Sequence, residues 1–269
     1  MPEDIVPLLH RRTDLSTFLI HLTRDHQQAA ARDNLLSILI AGRIEARSCY
    51  GAAAVRASQD PDVAATQRCV CFSEAPLEQA WMLTREIAGR GVALSQYGVV
   101  FTKSYGRKRG ANPVWYQDIT PGHYWLTNPV NQLNEISRRG QSATIVSTPP
   151  DVTGPLILSP IPSEDPILKL TPFIEQMGPT TNSMKEFWWE REWRHVGDFL
   201  FMLPRVVAVL APYAEHDALA SDLAAGPGKT EEWVAGRVGF LDGTWGLERM
   251  IAALAGVDEE DAGPIPLYP

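Results

Sequence analysis

Apolar positions in this chain fall into short runs that read as strands, separated by stretches of helical spacing. Phe18-Leu19-Ile20-His21-Leu22-Thr23 reads as a strand near the N-terminus, because an apolar run carrying one His and one Thr is unlike a surface helix. Residues 33–42 read as a helix: Asp33 is the candidate cap, Leu and Ile give an apolar face, and Gly42 is the stop. Residues 48–66 are rich in Ala, Ser and Asp without a clear period and read as a loop with a helical turn. Cys69-Val70-Cys71-Phe72-Ser73 reads as a buried strand, residues 75–87 as a helix opened by Pro76, and residues 97–102 as a strand. A basic turn over 105–113 leads into a strand at Val114-Trp115-Tyr116, and residues 128–142 read as helical.

From Pro149 to Pro179 the text is rich in Pro, Ser and Thr and reads as a long loop or insertion, with a helix over 167–177. Strands follow over 190–201 and 205–212, and helices over 214–225 and 245–255. Strands without regular βαβ alternation, with helices early and late, predict an α+β fold built on a mixed or mostly antiparallel sheet with flanking helices. The expected organisation is a single domain over 1–257, a Pro-rich insertion near 145–180, and an acidic, Pro-rich tail over 258–269.

Composition narrows the function classes. The formal charge of −8 argues against a general polyanion binder, so a nucleic-acid target needs a local basic patch, for which Arg107-Lys108-Arg109 is the candidate. Three cysteines, Cys49, Cys69 and Cys71, are too few and too irregular for a disulfide framework or a zinc site. No apolar run approaches the ~20 residues of a membrane span, and the N-terminus lacks a signal pattern, so a cytoplasmic protein without a membrane partner is expected. Gly226-Pro227-Gly228-Lys229-Thr230 ends like a P-loop, but Leu223 stands where the upstream glycine is needed.

The candidate chemistry sits in Trp188-Trp189-Glu190-Arg191-Glu192-Trp193-Arg194-His195. On an extended strand Glu190, Glu192 and Arg194 share one face. Two acids beside bulky aromatics form a place where carboxylate properties diverge. The competing interpretation is a surface ladder in which Arg191 and Arg194 neutralise both acids at little energetic consequence. His21 and Thr23 likewise share a strand face and can bond ribose hydroxyls or an amide; otherwise they are a satisfied core His and a strand-forming Thr. Ser73, at the end of its strand, either meets a ligand or caps the next helix.

The ordered set Phe18 to Thr23, Val70 to Glu74, Tyr97 to Phe101, Ala111 to Val114 and Glu190 to Arg194 resembles the AbiGi family of bacterial abortive-infection proteins. More distantly, the opening His-x-Thr strand, the Asn34-Leu35 helix ending in Gly and the late Glu are similar to DarT-type ADP-ribosyltransferases. The resemblance implies a split mixed sheet that clamps NAD, consumed as substrate by an ADP-ribosyltransferase. It implies that His21 and Thr23 hold a ribose or the nicotinamide amide, that Asn34 supports their corner, and that Ser73 fills the second motif position. A His-Tyr-Glu variant of the resemblance implies a tyrosine as well, for which Tyr97 is the candidate. Glu192 is implied to bond the nicotinamide ribose as the catalytic acid, with Glu190 acting on the acceptor. Arg47, Arg56 and Arg68 are the candidates for the pyrophosphate, because a guanidinium suits phosphate oxygens. The acceptor is then a nucleic acid or a protein. The family's antitoxin label implies a second reading, a non-catalytic protein that binds a cognate toxin or senses phage.

Overall fold

The computed structural model describes residues 14–86, 92–122, 124–138, 144–146, 156–158, 162–179, 184–225 and 238–257. Their strands are β1 (Phe18–Leu22), β2 (Arg43–Ile44), β3 (Ser48–Cys49), β4 (Arg68–Ser73) and β5 (Gly98–Thr102). Next come β6 (Asn112–Pro113), β7 (Trp115–Asp118), β8 (Thr144–Val146), β9 (Leu156–Leu158) and β10 (Ile174–Pro179). The last are β11 (Met184–Lys185), β12 (Glu192–Val196), β13 (Phe199–Leu200), β14 (Val206–Leu210) and β15 (Gly239–Leu241).

The fold is α+β. Its main sheet runs in the order β15-β14-β5-β1-β4-β12-β6, with β3 added beside β4. All its pairings are antiparallel except β14 with β15. Strand alternation sends Leu19, Val99, Phe101, Val70 and Phe72 to one face, where they pack with Leu35 and Leu39 of the helix Ala31–Ala41. Ile20, Leu22, Val100, Ala208 and Leu210 face the other side and pack with Leu83 and Met250. The central strands are thus apolar on both faces, which is why they are legible as continuous hydrophobic runs.

One junction in this sheet differs from the rest. β1 follows β5 in unbroken register from Phe18↔Thr102 to Leu22↔Gly98, and β4 follows β12 from Cys69↔Val196 to Ser73↔Glu192. Between β1 and β4 the only registered pair is Ile20↔Ser73. Beyond it the two strands part, and the sheet divides into halves joined at that pair.

Several local expectations need correction. The helix Ala31–Ala41 is not capped by Asp33, which lies inside its first turn; Asp25 Oδ1 instead accepts from the Ala31 amide at 2.8 Å. Gly42 does end it, in the left-handed conformation at φ 61°. Residues 48–66 hold β3 and two short helices, the second capped by Asp60. The helix expected over 75–87 shortens to a 3₁₀ turn and Ala80–Leu83. The basic segment is the end of the helix Lys103–Lys108. The 167–177 region is helical only to Phe173 and then becomes β10, which pairs in parallel with β7 and antiparallel with β11. The strand expected over 190–201 breaks into β12 and β13, with Gly197 at φ 77° between them. The Gly226–Thr230 loop and the tail over 258–269 lie outside the described residues.

Candidate functional site

The parting of β1 from β4 leaves backbone groups without a ladder partner, and buried backbone groups need one. His21 supplies it: its ring Nδ1 lies 2.8 Å from the Cys71 carbonyl oxygen. A carbonyl only accepts, so Nδ1 carries the proton and Nε2 is left as an acceptor in the neutral ring. Burial, with smaller contributions from the Arg24 and Arg47 charges, pushes the His21 pKa below its ordinary value despite that bond. The ring is therefore neutral at pH 7.

A cavity of about 450 Å³ occupies this junction. His21, Thr23, Asn34, Ser73, Glu190 and Glu192 all line it, so residues far apart in sequence meet at one opening. The size falls within the range of small-molecule sites.

Their individual geometry differs. The Thr23 hydroxyl is buried and turned to the corner, 2.9 Å from the Ala31 carbonyl and 3.1 Å from that of Tyr97. Asn34 Nδ2 donates to the Arg24 carbonyl at 2.9 Å and so braces the turn between β1 and its helix. Ser73 caps no helix; its hydroxyl donates to the Glu190 carbonyl and ties the 3₁₀ turn before β12 to β4.

Glu190 does not share a strand face with Glu192. It ends the 3₁₀ turn Trp188–Glu190, and Arg191, at φ 47°, reverses the chain before β12 begins. Arg191 bonds Glu74, which also holds Lys103 and the Trp193 indole. Glu192 and Arg194 do share a face, as alternation requires. Arg194 Nε and Nη2 lie 2.8 Å from Glu192 Oε1 and Oε2, and the Tyr116 hydroxyl donates to Oε2 at 3.0 Å. With the Arg194 side chain 2% exposed, this is a buried fork, not a surface ladder.

Arg68 and Tyr97 are not among the described residues lining the cavity. Arg68 is exposed at the start of β4, opposite Cys49. Tyr97 points its hydroxyl at Glu215, 2.6 Å away, in the network that joins Arg32 to Glu215 and Asp222. Of the other arginines considered for an anion, Arg47 lines the cavity, whereas Arg56 is buried elsewhere against Asp60.

Sequence reasoning passed over Arg24, Tyr50, Tyr116, Glu175 and Lys185, all of which line the cavity. Arg24 was within reach, since it directly follows the His-x-Thr strand. Glu175 and Lys185 come from β10 and β11; the sequence predicts a helix over 167–177 and assigns no element to 184–185, so no strand periodicity marks either residue. Burial and the neighbouring Glu192 carboxylate raise the Tyr116 hydroxyl pKa, and burial with Cys71 and Glu192 nearby raises that of Tyr50. Both remain phenols and hydrogen-bond donors. Cys71 also lines the cavity, but burial and the Glu192 charge push its thiol well up, which leaves it a poor nucleophile. Among the described residues there is no cluster of His, Cys, Asp and Glu able to hold a metal, and no helix long and apolar enough to cross a membrane.

Comparison with known proteins places residues 57–215, more than half of the chain, in a family described as "Putative abortive phage resistance protein AbiGi, antitoxin". No curated protein matches the chain. No solved structure matches it either.

Proposed function

We propose, from the premise that this chain belongs to the AbiGi family of abortive phage-resistance proteins, that its cleft binds NAD and transfers ADP-ribose to a nucleic-acid or protein acceptor during phage defence. The observation that carries this reading is that His21 and Glu192, on opposite sides of the parted strands, line one cavity of nucleotide-compatible size.

The chemistry available there fits. Neutral His21 offers Nε2 as an acceptor to an amide or a ribose hydroxyl, and Arg24 and Arg47 offer charge to phosphates. When the bond between ribose and nicotinamide breaks, its electron pair leaves with the nicotinamide ring and positive charge develops on the ribosyl carbon, as in glycoside cleavage. A fixed carboxylate that bonds the ribose hydroxyl, here Glu192, stabilises that charge. Glu190, which also lines the cavity, takes the proton of the attacking acceptor. Thr23 acts through the fold of the wall.

The test is transfer from NAD labelled in its adenylate half. Wild-type protein should label an acceptor and release nicotinamide, and Glu192→Gln should lose about 10²–10³-fold in rate, the usual cost of removing one electrostatic stabiliser. Equal rates in wild type and variant would overturn the assignment of Glu192.

A second reading is favoured by the family's description as an antitoxin: a non-catalytic protein that binds a cognate toxin. Absence of nicotinamide release and of any NAD-induced rise in melting temperature would decide for it.

A further inference from the structure

Glu192 is held in one orientation more completely than a pairing role requires. A carboxylate offers about four acceptor positions. Arg194 Nε takes one on Oε1; Arg194 Nη2 and the Tyr116 hydroxyl take both on Oε2. Among the described residues one position on Oε1 remains, and the Cys71 thiol, which also interacts with Glu192, is a weak donor that a hydroxyl outcompetes.

Arg194 is itself immobilised. Its Nη1 donates to the Pro172 carbonyl, its Nη2 also reaches Glu175 Oε2 at 2.8 Å, and its guanidinium lies over the Tyr50 ring at 4.3 Å. Lys185 Nζ holds the other oxygen of Glu175 at 2.7 Å. Burial alone would favour the neutral form of Arg194, but Glu192 and Glu175 hold it charged. Lys185, Glu175, Arg194 and Glu192 thus form a line of alternating charge from the small sheet of β7, β10 and β11 into the main sheet.

We propose that Arg194 is a positioning residue, with Tyr116 as its second, that sets the plane of Glu192 and leaves a single acceptor position for a hydroxyl of the bound ligand. This rests on the reading of the cleft as an NAD site. A planar fork fixes the plane of a carboxylate, whereas an ammonium supplies charge without that constraint. Arg194→Lys therefore separates geometry from charge, and Tyr116→Phe removes one hydrogen bond with little change in shape.

The experiment measures NAD affinity by calorimetry and nicotinamide release for wild type, Arg194→Lys, Tyr116→Phe and Arg194→Ala, the last with and without added guanidinium ion. Loss of alignment should lower turnover about 10–100-fold in the first two variants while the Kd for NAD stays within about threefold, the pattern of an interaction realised in the transition state. Guanidinium, and not ammonium, should restore part of the activity of Arg194→Ala. A merely structural Arg194 would instead lower turnover and NAD affinity together and show no rescue. Wild-type turnover in both Arg194→Lys and Tyr116→Phe overturns the positioning role alone. Wild-type protein that neither binds nor cleaves NAD overturns the cleft reading, and this assignment with it.

Discussion

His21 reaches across the line where β1 and β4 separate and donates from Nδ1 to the carbonyl of Cys71, 2.8 Å away. The bond closes the sheet at the point where the ladder stops and fixes which ring nitrogen faces a ligand. Structure and candidate chemistry therefore meet in one side chain.

Burial of the His21 ring has a pH signature. The folded-state pKa of His21 lies below its unfolded value of about 6.5. The unfolded chain then binds the proton first as pH falls, so the stabilisation is complete above about pH 6.5 and is lost as pH drops toward the folded pKa. His21→Gln keeps a donor for Cys71 and removes the titration. Thermal melts at pH 8 and pH 5.5 should show a smaller acid-induced drop for His21→Gln than for wild type; equal drops would contradict the assignment.

Arg194 carries a larger share of stability than its outer partner. Replacing it by Met leaves Glu192 and Glu175 facing each other without their common cation, and breaking a buried pair in this way costs about 3–5 kcal/mol. Lys185→Met removes a half-exposed charge and should cost about 0–1 kcal/mol. Urea denaturation with unchanged m-values measures both.

Much of this was legible in the chain. The apolar runs of β1, β4, β5 and β14 are buried on both faces, so they stand out without any knowledge of partners. Period-two alternation placed Glu192 with Arg194, and it failed for Glu190 because the left-handed Arg191 interrupts the strand, a conformation no propensity of Arg announces. Glu175 and Tyr116 were hidden for a different reason. They reach the site through the register of a separate small sheet, which is a long-range relationship. Arg68 starts β4 beyond the cavity, exposed opposite Cys49, and Tyr97 lies just before β5 with its hydroxyl on Glu215, so neither reaches the site.

Gly51 guards the approach of the segment that carries Glu175. It sits at φ +78°, and a Cβ there would stand 1.9 Å from the Thr171 carbonyl oxygen. Gly51→Ala should cost well over about 1 kcal/mol, because the backbone conformation and the contact both resist the methyl group. Its melting temperature should fall below that of Gly122→Ala, where a Cβ meets nothing within 4 Å although φ is also positive.

Cys71 should react slowly. Burial first and the Glu192 charge second hold its thiol protonated, so alkylation of native protein at pH 8 should lag far behind that of a free cysteine. Glu192→Gln should speed it, as followed by mass spectrometry of the Cys71 peptide. No change would mean that the carboxylate does not act on the cavity as described.

The most direct measurement is a crystal structure of the protein soaked with NAD. The dinucleotide is expected between β1 and β4, with a hydroxyl of its nicotinamide ribose within hydrogen-bonding distance of Glu192 Oε1 and His21 Nε2 facing the ligand. NAD bound elsewhere, or a cleft that stays empty at saturating NAD, would contradict it.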